Sequence, residues 1–166
     1  MAITKFDHIA IVVPNLDEAL KHFRQIFDID DDKLIYERDY KDTDTKTGNV
    51  EIMHFCLFPV GEVYFEIVEP ASEGPVMKFL QRTGGGLHHL GLTSDKIRDE
   101  WNKHDGLRQQ VRPLESKPRV DQYKVSYWFL HPKSNYNVLF EIDSAWAKTS
   151  ASDMTPVEKT PNWDAL

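Results

Sequence analysis

The sequence of 166 residues contains a single cysteine, Cys56, so no disulfide can form within the chain. Cys56 lies in the apolar run Phe55-Cys56-Leu57-Phe58, where a buried structural thiol is more common than a catalytic one. No hydrophobic run approaches the roughly 20 residues that cross a bilayer. The N-terminus also lacks the basic and apolar segments of a secretory signal. We therefore expect a soluble, cytoplasmic protein that does not enter a membrane.

Clusters of basic side chains are also missing. Lysine and arginine total 20 against 27 aspartate and glutamate residues, which leaves a net charge of -7. Because binding to a phosphate backbone depends on concentrated Lys and Arg, we expect no nucleic acid partner. The remaining composition, 40% hydrophobic, is ordinary for a globular domain that buries its own core.

What the sequence does contain is a repeated histidine-to-glutamate pattern. The first copy opens with Asp7-His8-Ile9-Ala10-Ile11 and closes with Tyr64-Phe65-Glu66-Ile67. The second opens with His88-His89-Leu90-Gly91-Leu92 and closes with Leu139-Phe140-Glu141-Ile142. Leu16, eight residues after His8, corresponds to Ile97, eight residues after His89. A long unit that occurs twice indicates a domain with pseudo-twofold symmetry, since solenoid repeats are shorter and need about three copies.

The first copy predicts a strand, a helix and then up to three further strands. Residues 5–13 are apolar and β-branched and end at a proline, which is typical of a strand. Asn15 is positioned to cap the helix that follows. Residues 28–49 are rich in Asp, Lys and Thr, so we predict a loop there with at most a short strand. Two strands, 50–59 and 62–68, complete the unit.

The second copy predicts the same order of elements after a helical connector at 71–86. We expect its helix to be capped by Ser94. Its predicted strands are 87–93, a short strand near Val111, 124–130 and 137–142.

Together the two copies predict an α+β fold in which two pseudo-twofold-related βαβββ modules form a curved, partly closed mixed sheet around a metal site. We expect one domain at 1–143, with module one at about 5–70, the connector at 71–86 and module two at about 87–143. Residues 144–166 show little periodicity. We expect them to form a C-terminal extension that lies over the surface or is mobile.

The repeated polar residues predict a metal centre. Side chains of a strand alternate between two faces, so the histidine and the glutamate of each copy can share the concave face of a curved sheet. His8, Glu66, His89 and Glu141 would then bring two imidazoles and two carboxylates together. A lone histidine or glutamate is more often structural, but a buried carboxylate without a partner costs several kcal/mol. The set therefore favours one divalent ion, and its nitrogen and oxygen donors suit Co, Ni, Mn, Zn or Fe.

The sequence resembles the vicinal oxygen chelate superfamily, which includes glyoxalase I, extradiol dioxygenases and methylmalonyl-CoA epimerase. The similarity to the epimerase family extends over about residues 5–143. It is carried by Phe6-Asp7-His8-Ile9-Ala10, Val50-Glu51-Ile52-Met53, Glu69-Pro70, Val76-Met77-Lys78-Phe79-Leu80, Gly86-Leu87-His88-His89-Leu90 and Phe129-Leu130-His131-Pro132-Lys133-Ser134. The Gly-Leu-His-His and His-Pro-Lys-Ser strings are the more specific of these.

By position, the resemblance implies metal ligands at His8, Glu66, His89 and Glu141 and a catalytic base at Glu51. It implies removal of the α-proton of a 2-substituted acyl-CoA through a metal-stabilised enolate. Glu51 would accept the proton, and Glu141 is the candidate for the acid on the opposite face if it can loosen from the metal. The substrate would be an acyl-CoA or another thioester. The resemblance also suggests that the protein can form a homodimer.

Four parts of the sequence bear on the substrate and on the shape of the site. Glu66 stands where the epimerases have glutamine, as in glyoxalase I, and a second carboxylate ligand would reduce the attraction of the ion for an anionic malonyl group. Arg119-Val120-Asp121-Gln122-Tyr123 replaces a glycine-rich loop, and Asn135-Tyr136-Asn137 replaces small residues, so we expect bulky side chains at the mouth of the pocket. His88 precedes a ligand on its strand, and we expect it to face away from the metal.

Three other functions remain open. A glyoxalase I-like lactoylglutathione lyase would use the same His and Glu set on a hemithioacetal. An iron dioxygenase would need two histidines, one carboxylate and open positions, which a fourth ligand at Glu66 disfavours. A non-catalytic ligand-binding protein needs neither metal nor base, so the presence of the ligand set together with Glu51 favours an enzyme.

Overall fold

The structure, a computed structural model, describes residues 3–150, 153–157 and 159–165. Its first half consists of strand β1 (Ile3–Val12), helix α1 (Leu16–Phe23) and strands β2 (Ile35–Thr43), β3 (Val50–Val60) and β4 (Val63–Pro70). Helix α2 (Pro75–Thr83) leads to strand β5 (Gly86–Ser94), helix α3 (Ile97–Gly106) and strands β6 (Arg119–Val120), β7 (Ser126–Leu130) and β8 (Phe140–Ser144). A hairpin of β9 (Trp146–Ser150) and β10 (Asp153–Pro156) follows. The βαβββ order therefore occurs twice.

Strands β1 to β8 form one sheet in the order β2-β3-β4-β1-β5-β8-β7-β6. β1 and β5 pair antiparallel at its centre, and each has a parallel neighbour on its other side, β4 and β8 respectively. The sheet curves until its two edges meet through side chains: Tyr127 Oη donates to Asp42 Oδ1 at 2.6 Å, and Arg119 forms an ion pair with the same carboxylate. This nearly closed mixed sheet confirms the predicted α+β fold.

The two faces of the sheet bury different side chains. On β3, Cys56 and Phe58 pack beneath α1, whereas Phe55 and Leu57 line a cavity on the opposite face. The two-residue period of a strand produces this separation. Helix α3 covers the second half in the same way, with Trp101 among the buried residues of its cluster. Helices α1 and α3 therefore cover one face, and the other face, where α2 packs against the cluster of Phe55 and Leu57, is left to form a site.

The helix boundaries agree with the sequence at α1 and differ at α3. Asn15 Oδ1 accepts the backbone N–H of Glu18 at 2.8 Å, as expected for the cap of α1. The prediction that Ser94 caps α3 is wrong. The helix begins at Ile97, and the Ser94 hydroxyl instead accepts the N–H of Lys96 at 3.0 Å in the preceding turn.

Two strand predictions are also wrong. Residues 35–43 form the full strand β2 where the sequence predicted mostly loop. Its polar residues include Asp42, which is buried because it pairs with Arg119 across the gap between the edges. No strand forms at Val111. This residue packs against the α3 cluster from a loop, and the short strand before β7 is β6.

The C-terminal residues pack more closely than expected. Trp163 is 5% exposed and joins the cluster beneath α3, where its Nε1 donates to Ser126 Oγ at 3.0 Å. Trp146 lines the cavity. Of the predicted extension, residues 151, 152, 158 and 166 lie outside the described residues. In the part of the chain that the structure describes, no helix is long and apolar enough to cross a membrane.

Candidate metal centre and active site

The curved sheet encloses a cavity of about 510 Å³. Every residue predicted from the sequence to act in the site lines this cavity, namely His8, Glu51, Glu66, His89 and Glu141. The repeated histidines and glutamates come from the four central strands. In the register of the sheet, Ala10 of β1 pairs with Glu66 on one side and with His89 on the other. The duplication therefore brings equivalent residues of the two halves to one place.

The side chains of His8, Glu66, His89 and Glu141 converge, and we call them the His-Glu cluster. His8 Nε2 lies 3.0 Å from His89 Nε2. Glu141 Oε2 lies 2.9 Å from His89 Nε2 and 3.7 Å from His8 Nε2, and Glu66 Oε2 lies 3.4 Å from His89 Nε2. Ligand atoms that each lie about 2.0–2.2 Å from one ion are separated by about 3 Å, so this spacing fits a single bound cation.

The electrostatics of the cluster also fit a cation. Although burial disfavours the charged ring, hydrogen bonds to Asp7 and Glu141 raise the pKa of His8 well above its usual value. Burial raises the pKa of Glu66. The pKa of Glu141 is lowered despite its burial, because both histidines contact this carboxylate. A divalent ion would replace the protons that these groups share and would favour neutral imidazoles beside ionised carboxylates.

Each histidine of the cluster is held at its other ring nitrogen by the residue immediately before it. Asp7 Oδ2 lies 3.2 Å from His8 Nδ1, and His88 Nδ1 lies 2.9 Å from His89 Nδ1. With Nδ1 engaged in this way, the Nε2 of each ring faces the cluster. Such outer contacts fix the tautomer and the orientation of metal-binding histidines.

The position of His88 corrects the expectation that it faces away from the metal. In the pairing of β1 with β5, Ala10 is opposite His89 and Ile11 is opposite Leu87, so His88 is an extra residue in a β-bulge. A bulge breaks the alternation of side chains, and consecutive residues can then reach the same cavity. The His88 ring packs edge-on against Phe79 of α2, with 4.8 Å between ring centroids. Burial lowers the pKa of His88 to about 3, so its ring is neutral.

Glu51 lies in the cavity wall outside the His-Glu cluster. It is 7% exposed, and its Oε1 accepts the N–H of Val76 at 2.8 Å, at the start of α2. Gly74, the residue before this helix, offers no capping side chain, so Glu51 takes that place. Burial raises the pKa of Glu51, while the helix amides oppose this effect. The result is a carboxylate held in the same cavity as the His-Glu cluster without belonging to the cluster.

Other wall residues were not predicted as site residues. Arg119 forms an ion pair with Asp42 and a second one, at 3.0 Å, with Glu115. Burial raises the pKa of Asp121 to about 7. Arg119 and Asp121 belong to the loop whose bulky residues were expected at the pocket, and both line the cavity. Tyr136 does not, because it is 99% exposed on a separate turn. Nothing in the sequence pairs Asp42 with Arg119, which lies in the other half of the chain.

A duplicated βαβββ sheet with two histidines and two glutamates at its centre defines a class of domains built around a divalent metal site. The chain belongs to the Glyoxalase/Bleomycin resistance protein/Dioxygenase superfamily, whose model matches residues 7–129. Members of this superfamily bind a divalent metal, and the groups that could hold one are present here.

Curated relatives and solved structures agree with this assignment. The chain is 27% identical to the mitochondrial methylmalonyl-CoA epimerase of Dictyostelium discoideum over 144 residues, which cover 86% of this chain and 80% of the relative. It is also 27% identical to the ethylmalonyl-CoA/methylmalonyl-CoA epimerase of Cereibacter sphaeroides, over 85% of this chain and 98% of the relative. A variant of the methylmalonyl-CoA epimerase of Streptomyces coelicolor, in complex with 2-nitronate-propionyl-CoA, superposes with a TM-score of 0.66 at 24% identity, over 87% of this chain and 99% of that one. That structure shares the fold.

Proposed function

We propose that the protein is a divalent-metal-dependent epimerase that removes and returns the α-proton of a 2-substituted acyl-CoA, as a methylmalonyl-CoA epimerase does. The observation that carries the proposal is the position of Glu51, a buried carboxylate in the same cavity as the His-Glu cluster but bound to a helix end and not to the cluster. The names of the curated relatives support the same reaction.

The His-Glu cluster would hold the ion through His8 Nε2, His89 Nε2 and one carboxylate oxygen each of Glu66 and Glu141. Its mixed donors suit Co, Ni, Mn, Zn or Fe. When bound, the ion would supply Lewis-acid stabilisation of the negative charge that develops on the thioester oxygen. The substrate would be an acyl-CoA or a related thioester, whose acyl end the cavity encloses.

Glu51 would accept the α-proton on one of its carboxylate oxygens. The amides of Val76 and Met77 favour the ionised form that a base needs, whereas burial keeps its proton affinity above that of a solvated glutamate. Inversion at the α-carbon also requires a proton donor on the opposite face. Glu141 is the candidate for this role on condition that its carboxylate loosens from the ion and takes up a proton. It lies on β8 of the second half, whereas Glu51 lies on β3 of the first.

The first prediction compares Glu51→Gln with the unaltered protein. The amide keeps the shape of the side chain and removes its basicity, so metal content should be retained while exchange of the α-hydrogen of methylmalonyl-CoA in deuterated water falls by roughly 10² to 10⁴. Glu62→Gln, at an exposed turn glutamate, is the matched control and should leave exchange unchanged. Near-normal exchange in Glu51→Gln would remove Glu51 from the mechanism.

A glyoxalase I-like lyase is the second candidate, and Glu66 is the observation that favours it. Two carboxylates in the cluster offset the charge of a divalent ion, which leaves less attraction for a substrate carboxylate. The same preparations should therefore also be assayed with a hemithioacetal. Rapid thioester formation from this substrate, without exchange on any 2-substituted acyl-CoA, would replace the epimerase assignment with the lyase.

A further inference from the structure

Trp146 connects the C-terminal hairpin to the back of the His-Glu cluster. It is the first residue of β9 and lies beyond residues 7–129, the part of the chain that matches the superfamily. Its Nε1 donates a hydrogen bond to Asp7 Oδ2 at 3.1 Å. The same oxygen lies 3.2 Å from His8 Nδ1. One carboxylate oxygen is therefore shared by a tail residue and by a residue of the cluster.

The hydrogen bonds of Asp7 determine how His8 presents its ring. Asp7 is 2% exposed, and its second oxygen, Oδ1, accepts from Lys5 Nζ at 2.8 Å. An ionised carboxylate can only accept hydrogen bonds. The proton between Asp7 Oδ2 and His8 Nδ1 must therefore be on His8 Nδ1. When the ring is neutral, as a bound divalent ion would favour, its lone pair is then on Nε2, which points into the cluster. Asp143 also approaches His8 Nδ1, but at 3.9 Å it is beyond hydrogen-bond distance.

Packing holds the Trp146 ring in the position that this hydrogen bond needs. The indole packs against Tyr64 with 5.1 Å between centroids, and Lys5 Nζ lies 5.2 Å from the centroid of the same tyrosine. Trp146 also packs against the buried cluster that contains Val68 and lines the cavity itself. Trp146 is therefore fixed from two sides, by aromatic packing and by its bond to Asp7.

We propose that Trp146 is a positioning residue of the metal centre, which fixes the ring of His8 through Asp7 and makes the C-terminal hairpin part of the active site. This inference rests on the metal-binding part of the proposed function and holds for any reaction at the cluster. Without the indole N–H, Asp7 Oδ2 loses one of its two donors and the carboxylate is free to turn toward Lys5. The His8 ring then loses its fixed orientation, and the ion binds less tightly.

The test compares two tryptophans of the same C-terminal region. Trp146→Phe keeps an aromatic ring beside Tyr64 and removes the N–H donor. Trp163→Phe, the matched control, removes the equivalent bond to Ser126 in the core beneath α3. Titration of the metal-free proteins with Co²⁺ alone should show affinity reduced about tenfold in Trp146→Phe, the lower end of the 10–100-fold range for outer contacts. Trp163→Phe should lower the unfolding temperature and leave the Co²⁺ affinity unchanged.

A double-mutant cycle with Asp7→Asn tests whether the effect passes through Asp7. If it does, adding Trp146→Phe to Asp7→Asn should cause little further loss of Co²⁺ affinity. Additive losses, an unchanged affinity in Trp146→Phe or equal losses in both tryptophan variants would overturn the proposal. Nitrogen-15 spectra of His8 in the metal-free protein give a second measurement. At a pH high enough for the His8 ring to be neutral, they should show Nδ1 protonated in the unaltered protein and a mixture of tautomers in Trp146→Phe, and this result stands apart from any failure to bind Co²⁺ or to catalyse exchange.

Discussion

At the scale of single residues, Gly91 leaves the space that the ring of His8 on the neighbouring strand occupies. Gly91 pairs with His8 across β1 and β5, and a Cβ atom added to it would lie 2.1 Å from Cε1 of the His8 ring. The imidazole therefore lies flat over the glycine to reach the cluster. Any side chain at this position would push the ring away, because the backbone of a central strand cannot yield.

Gly91→Ala should therefore damage the metal site. We expect a 10- to 100-fold loss of Co²⁺ affinity, comparable with the roughly 10–100-fold cost of lost outer contacts, and a loss of about 1–3 kcal/mol in the free energy of unfolding from overpacking. Gly106→Ala is the control, since a Cβ there meets nothing within 4 Å. Titration and thermal unfolding of both variants measure the difference. Normal Co²⁺ affinity in Gly91→Ala would show that His8 does not need this space.

The ionisation of Glu51 predicts how the reaction depends on pH. Burial raises the pKa of Glu51 above the ordinary value of 4.5, and a base is active only when ionised. The rate of α-hydrogen exchange should therefore be highest at pH values above this raised pKa. It should decrease as the pH falls through the pKa. A pH profile of the exchange rate at saturating Co²⁺, with metal occupancy measured at each pH, checks the expectation. A midpoint at or below 4.5 while the metal stays bound would contradict it.

At the scale of secondary structure elements, the N-terminus of α2 holds the proposed base. Glu51 occupies the capping position because Gly74 has no side chain, and a Cβ on Gly74 would lie 2.4 Å from the Glu51 carboxyl carbon. The flexible glutamate would move more readily than the backbone. The identity of residue 74 therefore controls where the carboxylate of Glu51 lies, although Gly74 itself takes no part in the chemistry.

Gly74→Ala should separate catalysis from folding. The displaced Glu51 loses its contact with the amide of Val76, which costs about 1 kcal/mol as for other helix caps, so the unfolding temperature should change little. Exchange of the α-hydrogen should fall toward the roughly 10² to 10⁴-fold loss of a missing base. Metal content should stay normal, as measured by elemental analysis. Full activity in this variant would mean that the observed position of Glu51 is not the catalytic one.

Two features that the sequence did not predict, strand β2 and the bulge at His88, place residues in the cavity wall. Strand β2 was read as loop because Asp42 and its charged neighbours are typical of loops, yet the partner that buries Asp42, Arg119, comes from the opposite edge. His88 was placed on the wrong face because a bulge cannot be read from a regular alternation. Helix α1 was predicted because its cap, Asn15, acts through a local contact with the backbone of the helix.

At the scale of the whole molecule, the position of the site follows from the duplication. The sequence predicted that His8, Glu66, His89 and Glu141 meet, since equivalent residues of two symmetric halves share a centre, and the structure brings them together. Glu51 has no partner in the repeat and was found only by resemblance. The place of Trp146 could not be predicted, because its bond to Asp7 joins the beginning of the chain to a segment outside the repeat.

Removal of the metal should destabilise the entire domain. The ion would bind only the folded chain, and a ligand at 100 times its dissociation constant adds about 2.7 kcal/mol to the free energy of unfolding. Each kcal/mol raises the unfolding temperature by about 2–4 °C in a domain of this size. Chelation should therefore lower this temperature by several degrees, and Co²⁺ should restore it. His89→Ala should not respond to Co²⁺, whereas His22→Ala, at an exposed histidine, should respond as the unaltered protein does.

The pairing of β1 with β5 also determines when, during synthesis of the chain, the metal site becomes complete. His8 and Glu66 belong to strands that pair within the first half, so they can meet before the second half has left the ribosome. Glu141 is on β8, and the last ligand therefore arrives after most of the chain has been made. Contacts between residues that are far apart in the sequence, such as His8 and Glu141, form slowly. The complete set of four proposed ligands consequently exists only after β8 has joined the sheet.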